Sequence, residues 1–280
     1  MAIISRFLKL FTSYAFFASF CSVALCIETY RTLNIPLDYY LLLFVFFATL
    51  SSYNLHYFLA NFNWGKDINQ SRGFRQLAPH IALLALASSA GFWVFLNHPV
   101  NAYLLLISML MSFCYSIPFT PIARHLNLKK WGIVKTILLA FTWTFVTCLF
   151  PLGTLKVLNE SLIILLLAQR FIFLLLLCIM FEQKDLITDP LKGLNSLATA
   201  MNPYSLKIFT LTLFVIWAVL NFAYPSFGLS IGYAWSRELL VMLVFIVYII
   251  SNHLKQNWFY YFVVDGMMIL SAFLCILTTD

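Results

Sequence analysis

Charged residues are scarce in this chain: they make up 10% of its 280 residues, whereas 62% are apolar. A soluble domain of this length needs far more polar surface, because Lys, Arg, Asp and Glu lie mostly on the outside of folded proteins. A helix needs about 20 apolar residues to cross a bilayer core of roughly 30 Å, and the chain offers that length again and again. The composition therefore predicts an integral membrane protein.

Long polar connectors are also lacking, and no segment between apolar runs is long enough for a separate soluble domain. The sequence shows no fixed-period repeat and no low-complexity tract. We therefore expect residues 1–280 to form one multi-pass, all-α membrane domain of about nine transmembrane helices. The expected spans are approximately 7 to 27, 38 to 61, 78 to 97, 101 to 118, 131 to 150, 160 to 181, 204 to 223, 236 to 252 and 256 to 277.

Basic residues are few on one side of these spans. Cytoplasmic loops are enriched in Lys and Arg, so the asymmetry predicts that the N-terminus and the motif loops face the cytoplasm. We expect the protein to lie in the plasma (inner) membrane. The net charge of +7 then faces an anionic leaflet and does not argue for nucleic acid. The cytoplasmic set is Arg6, Lys9, Lys66, Arg72, Arg75, Arg124, Lys129, Lys130, Lys135, Lys184, Lys192, Lys207 and Lys255, and the opposite set is Arg31, Lys156 and Arg237.

The six cysteines form no Cys-x-x-Cys pair, and all fall within expected spans. They are therefore interpreted as small apolar packing residues rather than as disulfide or metal sites.

Only ten carboxylates occur in the chain, and three of them lie within eight residues at the end of the sixth span: Glu182, Asp185 and Asp189. Offsets of three and seven place them on one helical face if the helix continues. Oxygen ligands of this kind suit Mg²⁺, which is usually bound by one or two carboxylates together with substrate phosphates. In the alternative interpretation, Lys184 and Lys192 simply neutralise these acids in a solvated loop.

Two other segments lie on the same predicted side. The connector after the fourth span contains Tyr115 and Pro118, followed by a basic cluster that could bind a diphosphate or anchor the chain at the membrane surface. That cluster comprises Arg124, His125, Lys129 and Lys130. The second span ends with Asn54, His56 and Asn61, where an amide could face a cavity or form a helix-to-helix hydrogen bond.

Two charges, Arg170 and Asp265, fall near the middle of expected spans. Intramembrane charges suggest a functional site, and a buried structural pair is the alternative. Asp265-Gly266 could also mark a local break in the ninth helix.

This layout resembles the UbiA superfamily of intramembrane prenyltransferases, which have nine helices around a central, lipid-accessible cavity. The family's second motif, Asp-x-x-Asp-x-x-x-Asp, is matched by residues 182–189, with Glu182 in the first position. Residues 192–197 look like the Lys-x-Gly-x-x-Thr-Leu continuation, and Tyr115-Ser116-Ile117-Pro118 looks like the family's Tyr-Ser-x-Pro segment.

The first family motif, Asn-Asp-x-x-Asp-x-x-x-Asp, is degraded. Placing its Asn on Asn54 puts Leu55, Phe58 and Phe62 at the three aspartate positions. Placing it on Asn63 recovers only Asp67, in the loop. We prefer Asn54, because it lies at the end of the helix.

The resemblance implies Mg²⁺-dependent transfer of an isoprenoid group from a prenyl diphosphate to a lipophilic acceptor. Glu182, Asp185 and Asp189 would hold the metal, and Asn54 and Tyr115 would line the site with Asp185. The diphosphate would contact Lys184, Lys192, Arg124, Lys129 and Lys130.

Two alternatives remain open. Within the same fold, the degraded first motif is compatible with a terpene cyclase, which needs no acceptor. Alternatively the chain is not an enzyme but a lipid-binding relative or a transporter that uses Arg170 and Asp265, although no inverted symmetry between its halves is visible.

Overall fold

The computed structural model describes residues 14–61, 71–116, 132–153, 159–186 and 197–279, and within these ranges the chain is helical with short turns and contains no strand. Two π-helical turns interrupt the pattern, Phe145–Leu149 and Phe259–Val264. The helices are α1 (Phe16–Thr32), α2 (Tyr39–Asn61), α3 (Ser71–Asn97), α4 (Ala102–Ser116), α5 (Gly132–Thr144), α6 (Glu160–Asp185), α7 (Leu197–Ala200), α8 (Pro203–Asn221), α9 (Ile231–His253) and α10 (Gly266–Thr279).

Six helical segments of the described chain are long and apolar enough to cross a membrane. The expectation of a multi-pass integral membrane protein is therefore confirmed. The total of about nine crossings stays a prediction, because α1 has 17 residues and the segments 102–115 and 133–149 are shorter apolar helices. The six are Tyr39–Asn61, Leu77–Asn97, Glu160–Asp185, Pro203–Phe227, Ile231–His253 and Phe259–Thr279.

Polar side chains fix where several helices begin. Asn159 accepts hydrogen bonds from the backbone N–H groups of Ser161 and Leu162 at the start of α6. Asn202, followed by Pro203, caps α8 in the same way, and Ser230 caps α9. Such N-caps satisfy the orphan donors of a first helical turn, which explains why short connectors are enough to separate long helices.

The helices pack as a ring of neighbours. α1 packs against α2 and α10, α2 also contacts α3 and α4, and the ring continues through α5, α6, α8 and α9 back to α10. α6 is the most deeply buried of the six apolar segments, and its Leu176, Ile179 and Met180 are completely buried. α6 runs through the bundle, and its last turn lies at one end of the ring.

That end is where α2 finishes at Asn61, α5 begins at Gly132 and α6 finishes at Asp185, and we call it the motif end. The predicted sixth span stopped at residue 181, whereas α6 continues to Asp185. The difference arises because a hydropathy boundary marks where apolar residues stop, and a helix can extend beyond it with polar residues.

Two of the boundary predictions misplaced charged residues. The first span was expected to stop at residue 27, but α1 continues to Thr32 and buries Glu28 inside the bundle. Arg237, at the edge of the expected span 236 to 252, was assigned to the basic residues of the opposite side, but it lies within α9 and is 3% exposed. Both residues can be buried because the negative charge of Glu28 and the positive charge of Arg237 compensate each other inside the bundle.

All six cysteines are described and carry free thiols, and four of them are buried. This agrees with the packing role expected for them.

Candidate active site

A cavity of about 890 Å³ lies among α2, α3, α4 and α5. Its wall is mainly apolar and includes Phe92, Phe113 and Trp143. The lining residues on α2 run from Phe44 to Leu59, a length of about 22 Å at 1.5 Å per residue. The cavity therefore extends along about three quarters of a bilayer core of roughly 30 Å.

Hydroxyl groups pair across helices in the wall of this cavity. Ser52 Oγ lies 2.7 Å from Ser112 Oγ, and Ser88 Oγ donates to Ser51 Oγ at 3.1 Å. These pairs satisfy polar groups within an apolar wall and link α2 to α4 and α3.

Tyr115, a predicted site residue, stands at the motif end between two helices. Its ring stacks on the imidazole of His56 from α2, with 4.8 Å between ring centres. On α5, the ammonium of Lys135 lies 5.2 Å from the centre of the Tyr115 ring. An ammonium over an aromatic face is attracted to the negative π-cloud. The three side chains therefore place a cation beside the predicted tyrosine.

Lys184, another predicted site residue, is enclosed by aromatic side chains at the end of α6. Its ammonium lies 5.4 Å from the ring centre of Tyr260 and 5.2 Å from that of Tyr261, and its side chain is 9% exposed. It donates to Asn257 Oδ1 at 3.2 Å and lies 3.7 Å from Asp185 Oδ1. The Asp185 side chain is 43% exposed, so this carboxylate remains accessible at the motif end.

Glu182 makes different contacts from Asp185. One of its carboxylate oxygens accepts the hydroxyl of Thr136 from α5, and the other accepts the backbone N–H of Ala198 in α7 at 3.1 Å. These contacts give Glu182 a role in positioning α5 and α7 against α6. Its predicted role as a metal ligand stays a prediction.

Asn54 is 1% exposed and takes part in a hydrogen-bond network that joins α2 to α3 and to Tyr14, just before α1. Its amide nitrogen donates to the carbonyls of Leu50 and Tyr14, and its Oδ1 lies 2.8 Å from His80 Nδ1. Each polar atom of the Asn54 side chain therefore has a protein partner. This geometry is that of the helix-to-helix alternative, and the predicted lining role of Asn54 stays a prediction.

The two mid-membrane charges have separate partners. Arg170 Nη2 lies 3.1 Å from Glu28 Oε1, and Arg170 Nη1 donates to the carbonyl of Leu25 at 3.0 Å. Asp265 is not part of this ion pair, and its backbone carbonyl accepts the thiol of Cys21 at 3.4 Å. Its backbone N–H donates to the carbonyl of Tyr260, which ends the π-helical turn just before Gly266. The hydrogen bonding therefore changes from π-helical to α-helical at Asp265-Gly266, but the helical segment Phe259–Thr279 continues through these residues, and a break of the ninth helix there stays a prediction.

Lys255 connects α9 to the end of α6. Its ammonium donates to the carbonyls of Gln183 at 3.2 Å and Ser251 at 3.1 Å. Burial lowers the pKa of Lys255 from its usual range, because the charged form loses hydration.

Five of the predicted site residues lie outside the described residues: Asp189, Lys192, Arg124, Lys129 and Lys130. In the part of the chain that the structure does describe, no three His, Cys, Asp or Glu side chains are grouped as a metal site. The predicted Mg²⁺ site, which includes Asp189, therefore stays a prediction.

Sequence reasoning did not select Lys135, Tyr260, Tyr261 or Asn257 for the site. Lys135 was counted only as a flanking cation, and the two tyrosines were part of an apolar run. A usable signal existed for Glu28, because a mid-membrane arginine such as Arg170 needs a carboxylate partner.

Solved structures of other proteins have a fold similar to that of this chain. The apo structure of a UbiA homolog from Aeropyrum pernix K1 matches with a TM-score of 0.65 at 12% identity, over 93% of this chain and 96% of that one. A structure concerning digeranylgeranylglyceryl phosphate synthase in membranes matches with a TM-score of 0.59 at 15% identity, over 97% of this chain and 98% of that one. No family model and no curated protein matches the sequence. The chain therefore has the UbiA fold.

Proposed function

We propose that this chain is a UbiA-type prenyltransferase, which moves an isoprenoid group from a prenyl diphosphate to a lipophilic acceptor. The observation that carries the proposal is the position of Lys184 and Asp185 at the end of α6 in a chain that matches UbiA structures over nearly its whole length. The proposal includes about nine membrane crossings with the motif end in the cytoplasm, as the distribution of Lys and Arg predicts.

The cavity supports an isoprenoid substrate. Its volume of about 890 Å³ is at the upper end of the range of small-molecule pockets, roughly 300–1,000 Å³. Its apolar wall suits a hydrocarbon tail, and it keeps water away from a reactive cation. The described lining residues extend towards the motif end on α2, so a tail in the cavity would have its head group near Tyr115 and Lys135.

The reaction would begin when the allylic C–O bond breaks and its electron pair leaves with the diphosphate. The acceptor then forms a bond to the allylic carbon and loses a proton. Negative charge grows on the diphosphate during the first step, so preorganised cations next to it lower the barrier. Among the described cations at this end, Lys184 and Lys135 are the candidates for this role, and Arg124, Lys129, Lys130 and Lys192 are the further ones expected.

A divalent cation fits the exposed carboxylate of Asp185, since Mg²⁺ prefers carboxylate oxygens together with phosphate oxygens and water. Asp185 and Asp189 would hold it, and Glu182 would join them if one of its oxygens exchanged a protein partner for the metal. When bound, Mg²⁺ would supply positive charge beside the leaving diphosphate.

The test is diphosphate release from geranylgeranyl or farnesyl diphosphate by the full-length protein in detergent with Mg²⁺. Aromatic, quinone-precursor and glycerophosphate compounds are offered as acceptors. Release that requires an acceptor supports a transferase, whereas release without one, together with a cyclic hydrocarbon product, supports a cyclase.

Two variants separate an enzyme from a transporter or a lipid-binding relative. Asp185→Ala should lower the rate of release by about 100-fold or more, because it removes a charge that acts in the transition state. Asp265→Ala should reduce it less. Glu160→Gln is the control, since this exposed carboxylate lies at the opposite end of α6. If no donor is consumed under any condition by the parent protein, the enzyme proposal is wrong.

A further inference from the structure

A second, much smaller cavity of about 20 Å³ lies among α1, α6, α8, α9 and α10, away from the candidate active site. Glu28, Gln169, Arg170 and Arg237 all line it, and each of these side chains is less than 5% exposed. A volume of this size holds one particle about as large as a water molecule.

The hydrogen-bonding capacity of Glu28 is already in use. Its Oε1 accepts from Arg237 Nη1 at 2.8 Å and lies 3.1 Å from Arg170 Nη2, and its Oε2 accepts the hydroxyl of Ser271 at 2.6 Å. Arg237 Nη2 in turn donates to the carbonyl of Ser271 at 2.8 Å. The carboxylate is thus surrounded by donors and compensates one of the two guanidinium charges.

Three buried donor atoms of this cluster make no hydrogen bond with the described residues: Gln169 Nε2, Arg237 Nε and Arg170 Nη2, whose 3.1 Å contact with Glu28 Oε1 is an ion pair without hydrogen-bond geometry. Guanidinium groups offer only donors, and they remain charged in proteins. Two guanidinium groups and one carboxylate leave a net charge of +1 in an apolar region, where an uncompensated charge is costly.

We infer that this cavity binds a single small anion of halide size, such as chloride, which accepts hydrogen bonds from the three donors and neutralises the Glu28, Arg170 and Arg237 cluster. Unpartnered buried donors in native proteins generally mark a bound water or ion. An anion suits this cavity better than water, because the unpartnered atoms are all donors and the net charge is positive. This inference is independent of the proposed reaction.

The test is thermal unfolding of the full-length protein in detergent, followed by tryptophan fluorescence. Sodium chloride or bromide is compared with sodium gluconate at equal ionic strength, because gluconate is far too large for the cavity. A ligand at 100 times its dissociation constant should raise the unfolding temperature by about 5 °C. The rise should saturate with chloride concentration. Equal unfolding temperatures in chloride and gluconate would overturn the inference and assign a water to the cavity.

A pair of variants locates the effect. Gln169→Leu removes one donor but leaves the ion pairs of Glu28 intact, so its response to chloride should shift to several-fold higher concentration. Asn221→Leu is the matched control, since Asn221 is also a completely buried amide with unpartnered atoms but does not line this cavity. If Gln169→Leu and Asn221→Leu respond to chloride as the parent protein does, the anion binds elsewhere and the inference is wrong.

Crystals grown in bromide give a direct measurement. An anomalous difference peak between Arg170 and Arg237 is expected, and it should be absent from crystals of Gln169→Leu grown in the same bromide concentration. A peak of equal height in both crystals would contradict the assignment of Gln169 to the site.

Discussion

A single carboxylate, Glu28, connects four helices at the residue scale. From α1 it contacts Arg170 in α6, Arg237 in α9 and Ser271 in α10. Replacing a whole buried ion-pair cluster by apolar residues is often neutral, but removing one partner leaves a charge uncompensated. The intact cluster therefore adds little net stability, but the loss of any one of its charged side chains should destabilise the bundle strongly.

Glu28→Gln is predicted to lower the free energy of unfolding by about 3–5 kcal/mol, because two buried guanidinium groups lose their counter-charge. Chemical or thermal unfolding in detergent would measure this loss. Glu160→Gln is the same substitution on an exposed side chain and should change the stability by at most about 0.5 kcal/mol. Equal stabilities of the two variants would show that the Glu28 contacts carry no net energy.

Lys184→Met is predicted to raise the KM for a prenyl diphosphate about tenfold, which corresponds to ~1.4 kcal/mol of lost binding. The methionine keeps much of the apolar stem within the Tyr260 and Tyr261 rings but removes the cation. Steady-state kinetics with varied donor would measure the change. Lys207→Met, on an exposed face of α8, should leave the KM unchanged. If Lys207→Met raises the KM as much as Lys184→Met does, the effect comes from the positive charge of the protein surface and not from a contact between Lys184 and the donor.

At the scale of the element, the apolar runs predicted most helices well because their length and hydropathy are imposed by the membrane. Their polar ends were less predictable. The extension of α1 to Thr32 depends on Glu28 finding Arg170 and Arg237, which are far away in sequence. No local pattern carries that information, so the boundary at residue 27 was placed too early.

The candidate site shows the same division. The acidic spacing at the end of α6 was visible in the sequence, and the structure places Lys184 and Asp185 there as expected. The aromatic enclosure of Lys184 was not visible, because it is formed by Tyr260 and Tyr261 from a distant π-helical turn. A π-turn shifts side chains relative to an α-helix, and hydropathy does not record this shift.

Two glycines near the start of α9 provide a prediction at this scale. Gly228 has a φ of +88° and open space around its Cβ position, so Gly228→Ala should lower stability by about 1 kcal/mol through backbone strain alone. Gly232 is helical, and an added Cβ would meet only Ser230 Oγ at 3.7 Å. Gly232→Ala should therefore stabilise the protein by up to about 1 kcal/mol. Unfolding temperatures in the same detergent would compare the two, and a gain for both variants would contradict the account of Gly228.

At the scale of the whole molecule, the ring of helices predicts which residues share a membrane face. In a cysteine-free background, single cysteines that replace Asn61 or Gln256 should react with an impermeant thiol reagent from the cytoplasmic side. Cysteines at Asn97 and Ser226 should react from the opposite side. Gln70 and Asn195, outside the described residues, are expected to react together with Asn61. Labelling of Gln70 and Asn195 from opposite faces would refute the orientation.

The Glu28 cluster also has a consequence for how the protein is made. The first charged partner of Glu28 in the chain, Arg170 in α6, follows it by about 140 residues, so at roughly 5–20 residues per second the ribosome needs about 7–28 s to supply it. During that time α1 carries a carboxylate into the lipid with both of its counter-charges still unsynthesised. An unpaired acid in the membrane is costly, so α1 should stay beside the insertion machinery, or protonated, until α6 arrives. Nascent chains that stop before α6 should therefore retain α1 in contact with that machinery, and Glu28→Leu should release it.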